Sequence, residues 1–167
     1  MKKATKEWLE ALIEAGIIIL IMFLFFWPVK VQGTSMKNTL ENGDRVIVNR
    51  VLGTFEKFEK GDIIVFKYND GNKEIDIIKR IIADEGDCIK IQNHKVWING
   101  TEIHEDYIIG ETYGDIELVV PKDELFVMGD NRSTSEDSRT LGTIKKDDVV
   151  GRMIFKIYPF SEISVVK

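Results

Sequence analysis

A chain of 167 residues with 44% apolar and 31% charged residues can bury one real core, is short for two, and is not disordered throughout. The net charge is −5 and the basic residues are scattered rather than striped, which excludes a nucleic-acid footprint and nucleic-acid partners. One cysteine, Cys88, and two histidines, His94 and His104, leave disulfides, zinc sites and histidine-based triads poorly supplied.

The N-terminal segment departs most from globular behaviour. Ala15–Val29 (AGIIILIMFLFFWPV) carries no charge, follows Lys2, Lys3 and Lys6, and falls slightly short of the roughly 17–25 residues that cross a bilayer. Extension through Ala11–Ile13, with Lys30 snorkelling outward, makes a span feasible, and Trp27 sits where an interfacial aromatic belongs. A cleaved signal peptide and a buried core helix are the competing readings. The first lacks a small-x-small pattern after the run; the second is opposed by apolar residues on every face. Residues 1–30 are therefore expected to be a short cytoplasmic stretch and membrane anchor, with 31–167 a β-rich domain outside. The early lysines favour the N-terminus inside, although Glu7, Glu10, Glu14, Lys30 and Lys37 blur the contrast.

Short Val/Ile-rich segments follow, at Arg45–Val51 and Asp62–Tyr68. Glu74–Ala83 (EIDIIKRIIA) has a helix's length, but its isoleucine density and the upstream Asp70-Gly71 turn predict a strand. Cys88–Ile91 and Lys95–Ile98 flank Gln92-Asn93-His94, and Asn99-Gly100 turns into Thr101–Ile103, giving a hairpin meander. Further strands are expected at Glu117–Val120, Glu124–Met128 and Val149–Tyr158. The expected fold is mostly β: an antiparallel sheet domain following one N-terminal transmembrane helix.

Two polar loops, Gly33–Leu40 and Gly129–Arg139, would each pass alone as ordinary turns. Together they supply a nucleophile, supporting hydroxyls and ion pairs. A serine hydroxyl needs a base. His94 and His104 lie in or beside hairpin turns and read as exposed turn residues. Lys79 sits in the run Ile77–Ile82, sharing its strand face with Ile77 and Ile81. Burial there would disfavour the ammonium form; lowering its pKa from about 10.4 to near 8 costs roughly 3 kcal/mol. Arg80 cannot substitute, because a guanidinium keeps its proton. Periodicity alone leaves open a Lys79 that points to solvent from a half-exposed strand.

Val31–Leu40 resembles the nucleophile segment of type I signal peptidases, a Gly-x-Ser-Met-x-Pro-Thr-Leu pattern, and Gly43–Asn49 resembles the strand after it. Ile78–Asp87 is similar to the family's Lys-Arg-Ile segment. Phe126–Arg132, continuing to Ser135, Asp137, Ser138 and Arg139, resembles its Gly-Asp-Asn-Arg-x-x-Ser-x-Asp-Ser-Arg segment. The blocks occur in family order and, with the anchor, cover nearly the whole chain.

The resemblance implies a membrane-anchored serine endopeptidase that removes signal peptides from exported preproteins, with membrane lipid as its other partner and no metal or organic cofactor. It makes Ser35 the nucleophile, Lys79 the general base and Ser135 the hydroxyl that orients the amine. Asp130, Asp137, Arg80 and Arg139 become an ion-paired frame whose pairings stay open. The Ser35 backbone N–H would serve the oxyanion hole; some relatives place a serine where this chain has Gly33. Met36, Ile75 and Ile77 are candidates for the shallow apolar pockets that accept small residues at −3 and −1. Asn38 stands where the family usually has proline, which puts the stiffness of that loop in doubt. Lysine rather than histidine at the base position points to a bacterial-type enzyme on the cytoplasmic membrane, and Ser35, six positions beyond Val29, should work close to the membrane surface. A non-enzymatic anchored β module would leave the blocks as coincidences. A self-cleaving Ser–Lys repressor protease would need a DNA-binding helical domain.

Overall fold

The computed structural model describes residues 2–50 and 58–165. Helix α1 (Lys2–Phe25) leads into β1 (Phe26–Lys30), followed by β2 (Arg45–Asn49), β3 (Ile63–Asn69) and β4 (Glu74–Asp84). A second group comprises β5 (Cys88–Gln92), β6 (Lys95–Ile98), β7 (Thr101–Glu102) and β8 (Ile116–Val119). The chain then returns through β9 (Glu124–Met128), a short helix α2 (Ser138–Leu141), β10 (Ile144–Lys145), β11 (Val149–Tyr158) and β12 (Ser164–Val165). One eight-stranded sheet runs β1-β2-β11-β3-β4-β9-β10, with β12 joined to β11; a four-stranded sheet runs β7-β6-β5-β8. All the strand pairs in both are antiparallel.

Alternation along the strands divides the interior into three clusters. Ile63 and Val65 of β3 pack with Val31, Met36, Leu40, Val46 and Val48. Ile64 and Phe66, on the opposite face, pack with Ile81, Leu125, Val127 and Ile144. Phe126 and Met128 of β9 turn the other way, against Ile89, Ile91, Val96 and Ile98 of the small sheet. Glu74–Asp84 is a strand throughout, because it lies between β3 and β9 and its apolar residues have layers to fill on both faces. Asn99 and Gly100 both take positive φ, 52° and 80°, at the β6–β7 turn, the conformation a two-residue hairpin demands.

The N-terminal run differs from the sequence expectation. Its helical part ends at Phe25, and Phe26–Lys30 pairs residue for residue with β2. Pro28 cannot continue a helix, and β2 offers an open edge. The uncharged stretch inside the helix, Ala15–Phe25, extends roughly 16 Å, about half a hydrocarbon core. Among the described residues, no helix is long and apolar enough to cross a membrane. The expected strand end at Val51 lies outside the described residues.

Candidate active site

Two backbone anchors fix the loop after β1. The Val31 N–H donates to the Asp44 carbonyl at 2.8 Å and the Gly43 N–H returns to the Val31 carbonyl at 3.0 Å. Gly33, at φ 87°, donates its N–H to Asn42 Oδ1 at 3.1 Å. Between these anchors, Met36 and Leu40 drop into the core while Ser35 stays half-exposed. Ser35 is also held from the far loop: its carbonyl accepts the Asn131 N–H at 2.9 Å, and Asn131 Nδ2 donates to the Thr34 carbonyl at 3.1 Å.

Lys79 comes from the middle of β4, where it is 4% exposed. Its Nζ donates to Ser35 Oγ at 2.8 Å, a contact spanning 44 residues of sequence. Among the described residues it forms no ion pair. Burial is the dominant influence on its amine and, against the opposing pull of Asp137, Glu136 and Asp130, lowers its pKa to about 8.

Those carboxylates pull weakly because two of them are already engaged. Arg80, buried beside Lys79, donates Nε and an η nitrogen to the two Asp130 oxygens at 2.9 and 2.7 Å. Thr39 Oγ1 bonds the same carboxylate. Arg139 grips Asp137 through Nε at 2.8 Å and an η nitrogen at 2.9 Å, and the Gly129 N–H donates to Asp137 at 3.0 Å. Burial would raise the Asp137 carboxyl, but these donors outweigh it and hold it below the usual range. The frame residues expected from the sequence thus resolve into two pairs, Arg80–Asp130 and Arg139–Asp137.

Ser135 Oγ is buried beside Asp137, whose carboxyl it helps to hold down, without a hydrogen bond of full geometry to a described group. One expectation needs correction. Met36 is 1% exposed and packed among core residues, so it does not line the cleft beside Ser35. That cleft, about 420 Å³, is lined by Val29–Gln32 and Ile75–Lys79, together with Ser35 and Val65. Ile75 and Ile77 do line it. His94 and His104 are exposed, with side chains 51% and 92% accessible.

Two contributors were not singled out by sequence reasoning: Gly129 lies inside a matched block without a role of its own, and Tyr107 lies outside every block. A Cβ on Gly129 would fall 2.2 Å from Ser135 Oγ and 2.5 Å from the Ser35 carbonyl oxygen, so only glycine lets the far loop approach this closely. Tyr107 lies under the Arg80 guanidinium at 4.0 Å, and its hydroxyl donates to Glu105 at 2.6 Å.

The chain is similar to known proteins in sequence and in fold. The family described as "Signal peptidase, peptidase S26" matches residues 5–158. Signal peptidase IB of Staphylococcus aureus is 36% identical, the alignment covering 97% of this chain and 94% of the relative. Signal peptidase I P of Bacillus subtilis subsp. natto is 37% identical over 99% of this chain and 95% of its own. The crystal structure of a signal peptidase I from Enterococcus faecalis V583 superposes with a TM-score of 0.52 at 28% identity, covering 59% of this chain and 98% of that one. With a family match over most of its length and relatives aligned nearly end to end, this chain belongs to the signal peptidase family S26 and is a serine endopeptidase.

Proposed function

We propose that the chain removes signal peptides from exported preproteins by a Ser35–Lys79 mechanism while held at the cytoplasmic membrane by its N-terminal segment. The observation that carries the mechanism is the 2.8 Å contact between Ser35 Oγ and a buried lysine that has no counter-ion among the described residues. Below about pH 8 the ammonium donates to Ser35 Oγ; once the amine is neutral the contact reverses, and the hydroxyl donates to its lone pair. Ser35 Oγ then attacks the scissile carbonyl carbon and its proton passes to Lys79 Nζ. The oxyanion gathers beside the Ser35 N–H. Collapse breaks the C–N bond, Lys79 returning the proton to the leaving amine. Water hydrolyses the resulting ester with Lys79 again taking the proton, and Ser35 is regenerated.

The substrate would lie along the cleft lined by Val29–Gln32 and Ile75–Lys79, its small side chains facing Ile75 and Ile77. Anchoring is supported by α1, whose Trp8, Leu12, Ile18 and Leu20 are 59–73% exposed, uncovered by any of the described residues. The reading places the N-terminus inside and the β domain outside; full protection from protease added to intact spheroplasts would sink that topology. The enzymatic test incubates wild type, Ser35→Ala and Lys79→Ala with a labelled preprotein in detergent, then sequences the new N-terminus of the product. Cleavage by the wild type alone, after a small residue, supports the reading; correct cleavage by either variant removes it.

A further inference from the structure

We propose that Asn38 is a positioning residue for the Ser35–Lys79 pair, acting through a hydrogen bond that staples the Ser35 loop to the connection between β7 and β8; the inference rests on the roles given to Ser35 and Lys79 above. Asn38 adopts φ 92°, a region that side chains other than glycine seldom occupy and that proline cannot reach. In that conformation its Nδ2 donates to the Tyr107 carbonyl at 2.9 Å, across 69 residues of sequence.

The staple closes a circuit around the reacting atoms. The Tyr107 ring lies 4.0 Å beneath the Arg80 guanidinium, and Arg80 pairs with Asp130. Asp130 bonds Thr39, the residue after Asn38, and Thr39 also accepts from Arg80 at 3.3 Å. Ser35 lies three residues before Asn38, and Lys79 immediately before Arg80. The nucleophile and its base therefore sit on neighbouring arms of one closed loop of contacts. The connection is itself fixed. The Tyr107 hydroxyl donates to Glu105, whose carboxylate takes both η nitrogens of Arg132. The Ile109 N–H donates to the Asp130 carbonyl at 2.8 Å and the Arg132 N–H to the Ile109 carbonyl at 2.9 Å. Asn38 thus ties a loop at the surface to a point that is already rigid. Loss of the staple frees the C-terminal half of the loop to move Ser35 away from Lys79 and to let water reach the amine. The charged groups around that amine, Asp137, Glu136, Asp130 and Arg139, are unchanged by the substitution.

The test compares Asn38→Gly, which keeps the backbone conformation and removes the donor, with Asn38→Pro, which forbids the conformation. Active sites are counted by titration with a serine-directed acylating inhibitor, so that kcat refers to folded enzyme. Asn38→Gly is expected to lose roughly tenfold in kcat with KM little changed, the loss typical of a small misplacement of reacting groups. The ascending limb of its pH profile should move up toward the ordinary lysine range; a purely structural role would lower the melting temperature and leave that limb in place. Asn38→Pro should lose more, and if it does not fold, Asn38→Gly carries the test. Wild-type kcat in Asn38→Gly, or a fall in kcat with the limb unmoved, overturns the proposal. Ser35→Ala and Lys79→Ala run in parallel: activity in either overturns the underlying mechanism, whereas their silence beside a fully active Asn38→Gly overturns only the role of Asn38.

Discussion

Strands β4 and β11 belong to the same sheet and each buries one lysine, Lys79 at 4% exposure and Lys156 at 6%. Lys156 lies 3.4 Å from Asp44 and 2.7 Å from Glu162. Burial pulls its amine down, but the two carboxylates outweigh burial and hold it above the ordinary lysine value. At Lys79 the nearest carboxylates are held by Arg80 and Arg139, burial wins, and the pKa falls to about 8. Burying a lysine therefore does not by itself make a base. What decides the sign is whether a carboxylate is in contact, and around Lys79 two arginines keep that from happening.

The largest effect that could break this comparison comes from Lys79 itself. Lys79→Arg keeps the charge and the reach but cannot give up its proton. It should lower kcat/KM by about three orders of magnitude or more, as removal of a nucleophile's base does. Substantial cleavage with correct product termini would count decisively against the base assignment. In the wild type, activity should rise as pH passes about 8. Stability moves the same way. A folded-state pKa of about 8 against roughly 10.4 unfolded means the unfolded chain binds more protons between those values, so stability rises with pH there. Lys79→Met should be inactive yet more stable at pH 7, by at most about 3 kcal/mol, with the gain fading between pH 8 and 10 in denaturant melts.

Next in size is Gly129→Ala. Its methyl must displace Ser135 or the Ser35 carbonyl, and backbone cannot yield as a flexible side chain can. A loss of about a hundredfold in kcat is expected. Unchanged kinetics would show that the spacing of Ser35 from the far loop is not critical.

Lys156→Met sharpens the contrast from the other side. It leaves Asp44 buried at 4% exposure without its cation, so stability should fall by about 3 kcal/mol while kcat per folded enzyme stays at the wild-type level. Because the folded pKa of Lys156 is raised, the pair's contribution is fully present below the unfolded value near 10.4 and is lost only at higher pH. Denaturant melts of wild type and Lys156→Met should therefore run parallel from pH 7 to 9. The smallest effect belongs to the four-stranded sheet. Lys95 and Glu102 are each about half exposed in their pair, and Lys95→Ala should change stability by less than about 1 kcal/mol.

The sequence by itself determined the β architecture and the family to which the chain belongs. Isoleucine-rich Glu74–Asp84 is a strand, Asn99-Gly100 turns a hairpin, and four short blocks resemble those of a signal peptidase, because local propensity, turn chemistry and motif order are written in consecutive residues. Tertiary structure decided what depends on distant partners. Periodicity could not choose between a solvated and a buried Lys79; packing in β4 and contact with Ser35 from another loop did. Arg80 chose Asp130 and Arg139 chose Asp137 by proximity in space, across 50 residues in the first case and two in the second. Phe26–Lys30 shared the hydrophobicity of the helix before it; Pro28 ended that helix, and the open edge of β2 beside it made the segment a strand. Met36 went into the core and Gly129 became indispensable for the same reason. How close two segments approach is a property of the packed fold, and no residue carries it alone.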